Sequence, residues 1–168
     1  MSSQTDLWKY AVNLEELKEN ESPTLLILRG KSGSGKTTLA TWFRENHDYE
    51  IFAADDHFYH NGQYRFVPNQ LPAAHAKCLS KTRYALNCGF SVVVHNTFQK
   101  LDHLQPYLEL ENKAENKIEI KIWKLTSEYS PNKNIPAHVI ANYSKGYEAH
   151  KLERSVTFNK EKGDVVFY

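Results

Sequence analysis

The stretch that decides the fold is Leu25-Leu26-Ile27-Leu28-Arg29-Gly30-Lys31-Ser32-Gly33-Ser34-Gly35-Lys36-Thr37-Thr38-Leu39-Ala40. Its first part is a short continuous apolar run, the signature of a strand buried on both faces of a parallel sheet. Its last part continues into helical spacing to about residue 46, with Leu39, Ala40 and Phe43 on one face. Between them lies G-x-x-x-x-G-K-[ST], a loop whose glycines let the backbone curl and aim successive N–H groups at one phosphate. The positive end of the following helix adds to that field. Gly30, Ser32, Gly33, Ser34, Gly35, Lys36, Thr37 and Thr38 are therefore the expected phosphate-binding residues. Lys36 is expected to reach the β/γ-phosphates and Thr37 to ligate Mg²⁺. Lys31 and Ser34 fill variable positions and read as structural or solvent-facing.

Outward from this stretch the chain alternates strands and helices. Residues 50–54, 91–94 and 118–125 read as further strands, and 75–87, 101–108 and 137–150 as helices. Leu7, Trp8, Ala11, Leu14 and Leu17 recur at helical spacing and predict an N-terminal helix within residues 1–22. The end of the chain, 151–168, reads as a tail or a hairpin across residues 160–163. The expectation is one α/β domain over 1–168 with its core at 23–150, in three layers around a mostly parallel sheet of four to five strands. In such folds the ligand site lies beyond the carboxyl ends of the strands.

Composition narrows the function. The 168 residues carry 21 Lys and Arg against 20 Asp and Glu, which excludes a wholesale basic surface. The balance is uneven, however. Residues 56–106 hold five Lys/Arg (Arg65, Lys77, Lys81, Arg83, Lys100) against Asp56 and Asp102, a local balance of +3, and five of the eight histidines. Two cysteines, Cys78 and Cys88, exclude a disulfide scaffold and read as two small buried hydrophobes. No apolar run approaches a membrane span and no secretory leader is visible, so the expected compartment is cytoplasmic. The histidines match no zinc spacing, and no G-x-S-x-G turn suggests a hydrolase triad.

Asp55-Asp56 follows the second predicted strand. A carboxylate there can take the proton of an attacking hydroxyl. Asp55 is the expected base, with Asp56 capping a turn or supporting it; the alternative is that the pair serves simply as a helix cap. Phe58, Tyr59, Tyr64 and Phe66 gather in the same loop, where they either stack a nucleobase or pack the loop onto the sheet edge. No acidic residue ends the third strand; His95-Asn96 stands there instead.

The order of these motifs carries a resemblance. The phosphate loop, Asp55-Asp56-His57-Phe58, Tyr64 with Phe66-Val67-Pro68, Ala74-His75-Ala76-Lys77-Cys78 and Val92-Val93-Val94-His95-Asn96-Thr97 resemble the predicted AAA-type P-loop kinases. That family in turn resembles the kinase domain of phage polynucleotide kinase and, more distantly, the zeta-toxin kinases. The resemblance runs from about Thr24 to Tyr147. It implies a P-loop kinase fold, ATP and Mg²⁺ as cofactors, and transfer of the γ-phosphate to a hydroxyl of a nucleic-acid end, nucleotide or modified base. It implies that Lys36 and Thr37 serve ATP and Mg²⁺ and that Asp55 is the general base. Asn96 and Thr97 would face an anionic acceptor, with His75 beside it or capping its helix. Asp56, His57, Arg65 and Arg83 complete the expected acceptor side. The chain also departs from the pattern. Phe58 stands where the polynucleotide-kinase group has an arginine. The lid segment 128–136 carries no arginine, leaving Lys133 as its cation and candidate catalytic residue. The alternative reading is a nucleotide-binding pseudokinase with weak or no turnover.

Overall fold

The computed structural model describes residues 22–113, 115–126 and 137–168, together with the backbone of 10–13. One seven-stranded sheet organises it, in the order β1(Tyr10–Asn13), β9(Asp164–Phe167), β8(Arg154–Asn159), β7(Glu119–Leu125), β2(Thr24–Arg29), β6(Val92–His95), β3(Glu50–Phe52). The five strands from β8 to β3 are mutually parallel; β9 runs against them, and β1, antiparallel to β9, closes the far edge in the direction of the five.

β2 is buried along its whole length. Its period of two sends alternate residues to opposite faces. Leu26 and Leu28 join Leu39, Ala40 and Phe43 of α1(Lys36–His47), with Val156, Phe158 and Val165 from the edge strands. Leu25 and Ile27 join Cys78 and Leu86 of α2(Leu71–Asn87) and Leu104 and Tyr107 of α3(Leu101–Leu108) on the other face. Each fully buried leucine or isoleucine contributes about 1.5–3 kcal/mol, so the strand beneath the glycine loop is firmly held. A short helix α4(Leu110–Lys113) precedes β7, and α5(Ala137–Gly146) precedes β8.

Three expectations need correction. The sheet has seven strands, because the C-terminal residues form the hairpin β8–β9 and β1 adds to the free edge of β9. Tyr10–Asn13 lies inside the predicted N-terminal helix and is a strand. Its Tyr-Ala-Val-Asn run suits a sheet, and β9 offers an open edge; that pairing overrides the local helical spacing. The rest of that predicted helix lies outside the described residues. Of the two cysteines expected to be buried, only Cys78 is; Cys88, just past the end of α2, is exposed, and both are free thiols. Among the described residues, no helix is long and apolar enough to cross a membrane.

The chain leaves β2 toward β3 and β6 on one side, then crosses to β7 on the other. This reversal opens a crevice at the carboxyl end of β2. The phosphate loop and the turn after β3 both follow strands that end there.

Candidate active site

Gly30, Gly33 and Gly35 hold φ of 154°, 81° and 95°. Gly30 is required on a second count: a Cβ there would stand 2.7 Å from Ser34 Oγ and 3.0 Å from the Leu125 carbonyl. Ser34 is completely buried beneath the loop, and its Oγ has no hydrogen-bond partner. This overturns the solvent-facing alternative for that position; its side chain supports the curl from inside. The Lys36 ammonium donates to the carbonyls of Gly30 and Lys31, both at 2.8 Å, and so spans the loop it belongs to. Gly35 precedes α1 without a side-chain cap, and the first turn carries no acid. The helix N-terminus thus presents its amides to an incoming anion rather than to its own side chains. Thr37 and Thr38 are exposed at this mouth. An amide cradle that a Cβ would fill, a lysine across it and a threonine hydroxyl at its exit fit a nucleotide's phosphates and their Mg²⁺.

The opposite rim is a 3₁₀ turn, Ala54–Phe58, directly after β3. β3 lies two strands from β2, about 10 Å across the sheet. Side chains hold this turn. Asp56 Oδ2 accepts from the Ala53 N–H at 3.0 Å. Asn96, at the end of β6, accepts the Ala54 N–H on Oδ1 at 2.8 Å, while its own N–H donates to the Leu28 carbonyl at 3.3 Å. Its amide nitrogen also faces Cys78 Sγ at 3.9 Å. Asn96 therefore ties the end of β2, the Asp55 turn and α2 together. Burial pushes the Cys78 thiol up and keeps it protonated.

Asp55 receives the Tyr64 hydroxyl at 3.2 Å. Desolvation first, then the adjacent Asp55 charge, push that phenol up to about 12. It remains a hydrogen-bond donor at any ordinary pH. His75 sits in the first turns of α2. Desolvation and the neighbouring His103 lower its pKa, and Asp55 opposes them. His75 is thus placed in the electrostatic neighbourhood of the Asp55 carboxylate.

The expected site residues fall into three groups. Lys36, Thr37, Asp55 and His75 gather at the carboxyl ends of the parallel strands. Asp56 and Asn96 belong to the same rim, but their side chains are engaged in holding the turn rather than offered to an acceptor. His57 likewise meets Gln70 Oε1 through Nε2 at 3.1 Å, with Nδ1 buried and unpartnered. Thr97 contributes its carbonyl, which accepts from the Gly30 N–H at 3.3 Å and from the Tyr143 hydroxyl. Arg83 is not brought to the crevice. α2 begins at that end with Leu71, and a helix rising about 1.5 Å per residue carries Arg83 roughly 18 Å toward the other end of the sheet. Arg65 is exposed beside Tyr64. Lys133 and the lid segment lie outside the described residues.

One important residue was not expected. Arg29, the last residue of β2, is fully buried. Its guanidinium donates to the carbonyls of Phe98 and Gln99 and to Glu153 Oε1 at 2.9 Å, and lies 4.3 Å from the centre of the Tyr147 ring. Glu153 in turn accepts the Tyr147 hydroxyl at 2.8 Å. The segments after β6 and before β8 are thereby fastened to the base of the phosphate loop. The only hint in the sequence was a charged residue closing an otherwise apolar strand.

No protein-family model matches the chain. In sequence it is similar to human NEDD4-binding protein 2, at 35% identity over 96 residues. That stretch is 56% of this chain and 5% of the human protein, so the chain spans a small fraction of that relative. In structure it is similar to the APS kinase of Mycobacterium tuberculosis in complex with AMPPNP and APS, with a TM-score of 0.57 and 15% identity over 86% of this chain and 95% of that one. It is also similar to a chain of the Pnkp1/Rnl/Hen1 RNA repair complex, with a TM-score of 0.52 and 18% identity over 79% of this chain and 42% of that one. Strand order, glycine loop and structural neighbours agree that the chain has the fold of the P-loop kinases.

Proposed function

We propose that the protein is an ATP-dependent phosphotransferase that moves a γ-phosphate to a hydroxyl of a nucleic-acid end, a nucleotide or a modified base. The observation that carries this reading is the pairing of the two rims. A Lys36-spanned phosphate cradle stands on β2, and a carboxylate held by Tyr64 stands on β3. Asn96 bridges them.

The chemistry follows from these groups. Asp55 accepts the proton of the acceptor hydroxyl as its oxygen bonds to the γ-phosphorus; the bond from that phosphorus to the β-bridging oxygen breaks, and ADP leaves. Lys36 and the loop amides neutralise the charge that develops on the transferring group. Thr37 would hold Mg²⁺, which supplies further neutralisation of the phosphate oxygens when bound. Tyr64 holds the Asp55 carboxylate through its hydroxyl. Lys133 is the proposed cation of the lid, in place of an arginine. The kinase neighbour that holds AMPPNP supports a nucleotide in the cradle.

The test is incubation with γ-labelled ATP, Mg²⁺ and a panel of 5′-hydroxyl oligonucleotides, nucleosides and nucleotides. Label transfer that disappears in Asp55→Asn is the expected result. Nucleotide binding with neither transfer nor hydrolysis overturns the proposal.

A further inference from the structure

The aromatic residues that follow β3 divide in the folded protein. Phe58 is 1% exposed and packs with Ala54, Ala74 and Val67. Tyr59, Tyr64 and Phe66 remain 46%, 38% and 46% exposed. They are nonetheless held in place. Strands β4(Tyr59–His60) and β5(Gln63–Tyr64) form a two-stranded hairpin in which Tyr59 and Tyr64 are direct partners, their ring centroids 5.1 Å apart. Phe66 meets the buried Phe58 ring edge-on at 5.0 Å. Asn61 and Gly62 take φ of 51° and 80°, the left-handed pair demanded by a tight two-residue hairpin turn. The hairpin is an ordered display of three rings in water.

Packing buries Phe58, whereas the other three rings keep much of their surface in water. Exposed aromatic surface gathered in one place marks an interaction site. The display is continuous with the active site, because the Tyr64 ring belongs to it while the Tyr64 hydroxyl touches Asp55. A flat ligand lying on this hairpin is one tyrosine side chain away from the proposed base. Arg65, exposed between Tyr64 and Phe66, adds a cation to the same loop, and residues 56–106 carry a positive balance.

We infer that the β4–β5 hairpin is a base-stacking subsite for a single-stranded nucleic-acid acceptor. Tyr59 and Phe66 offer ring surface to its bases, and Arg65 offers charge to its backbone phosphate. Rings and cations in this combination bind single strands without needing a particular sequence. The inference rests on the phosphotransfer reading and narrows its acceptor from any hydroxyl compound to a polynucleotide end.

The test uses the full chain and fluorescence anisotropy with two probes of equal length, a 5′-hydroxyl single-stranded oligonucleotide and its abasic counterpart. The wild type is expected to prefer the base-bearing strand. Tyr59→Ala with Phe66→Ala should weaken that strand's binding about 10-fold or more, a stacking contribution of ordinary size, and leave the abasic strand and AMPPNP unaffected. Tyr59→Phe should retain binding. Arg65→Gln should lower the dependence of log affinity on log salt by about 0.7. Equal wild-type affinity for both probes, or unchanged affinity in the double variant, overturns the subsite. So does a wild-type dimer that the double variant dissociates, since the rings would then be an interface between copies. Labelled phosphate transfer is scored separately. Asp55-dependent transfer confined to base-free polyols sinks the subsite and leaves phosphotransfer standing. Base-dependent binding without transfer to any acceptor supports the subsite and sinks the phosphotransfer reading.

Discussion

The loop 30–38 and the turn Ala54–Phe58 face one crevice, yet they are held by different means. Backbone conformation fixes the phosphate loop: left-handed glycines, a lysine bonded to the loop's own carbonyls, and a serine buried beneath it. The Asp55 turn borrows its shape from side chains outside it: Asn96, far along the sequence just after β6, and Tyr64 of the hairpin that follows. The first rim is a local device that closes within nine residues. The second exists only once β6 and α2 have docked. The two rims should therefore fail separately.

Asp55→Asn probes that separation most strongly. Transfer should fall about 100- to 10,000-fold, the usual weight of a general base, while AMPPNP affinity measured by calorimetry stays unchanged. Lys36→Ala should lower transfer about 100- to 1,000-fold and weaken AMPPNP in the same calorimeter. If both variants lose nucleotide equally, the rims are not independent.

Glu153→Ala tests what the phosphate loop stands on. It leaves the Arg29 guanidinium buried without its carboxylate, a loss of about 3–5 kcal/mol, so the melting midpoint should drop by roughly 10 °C. Asn96→Ala is milder, about 1–3 kcal/mol for the orphaned Ala54 N–H. Here transfer should decline through a displaced Asp55 while AMPPNP still binds. A variant that melts lower but transfers at the wild-type rate would show that Asn96 supports the fold and not the base.

His75→Gln is the smallest effect. The folded protein resists protonation of His75 more than the unfolded chain does. Its contribution to stability is therefore intact above pH 6.5 and lost as the pH falls from there. Denaturant titrations between pH 7 and 5 should show a shallower acid decline in the variant, and a parallel decline in both proteins would remove His75 from the account.

The same division explains what could be read before folding. The glycine loop was legible because residue type and spacing alone dictate its backbone. The buried strand before it and the helix after it follow from the runs 25–28 and 39–43. Asp55 could be picked out by its place after a strand. Asn96 could be noticed but not given its task, since its partners Ala54 and Leu28 are remote in sequence and only the sheet register brings them together. Arg83 was misplaced because net charge along a segment says nothing about where a helix carries its end. Tyr10–Asn13 was misread because its partner, β9, lies at the other end of the chain.

That last pairing also orders events in time. Val12 sits opposite Val165, so β1 leaves the ribosome well before the strand it pairs with. Contacts of such long sequence separation form late and slowly. The parallel strands that carry the crevice can assemble without waiting for this edge, whose closure follows them rather than serving as their nucleus.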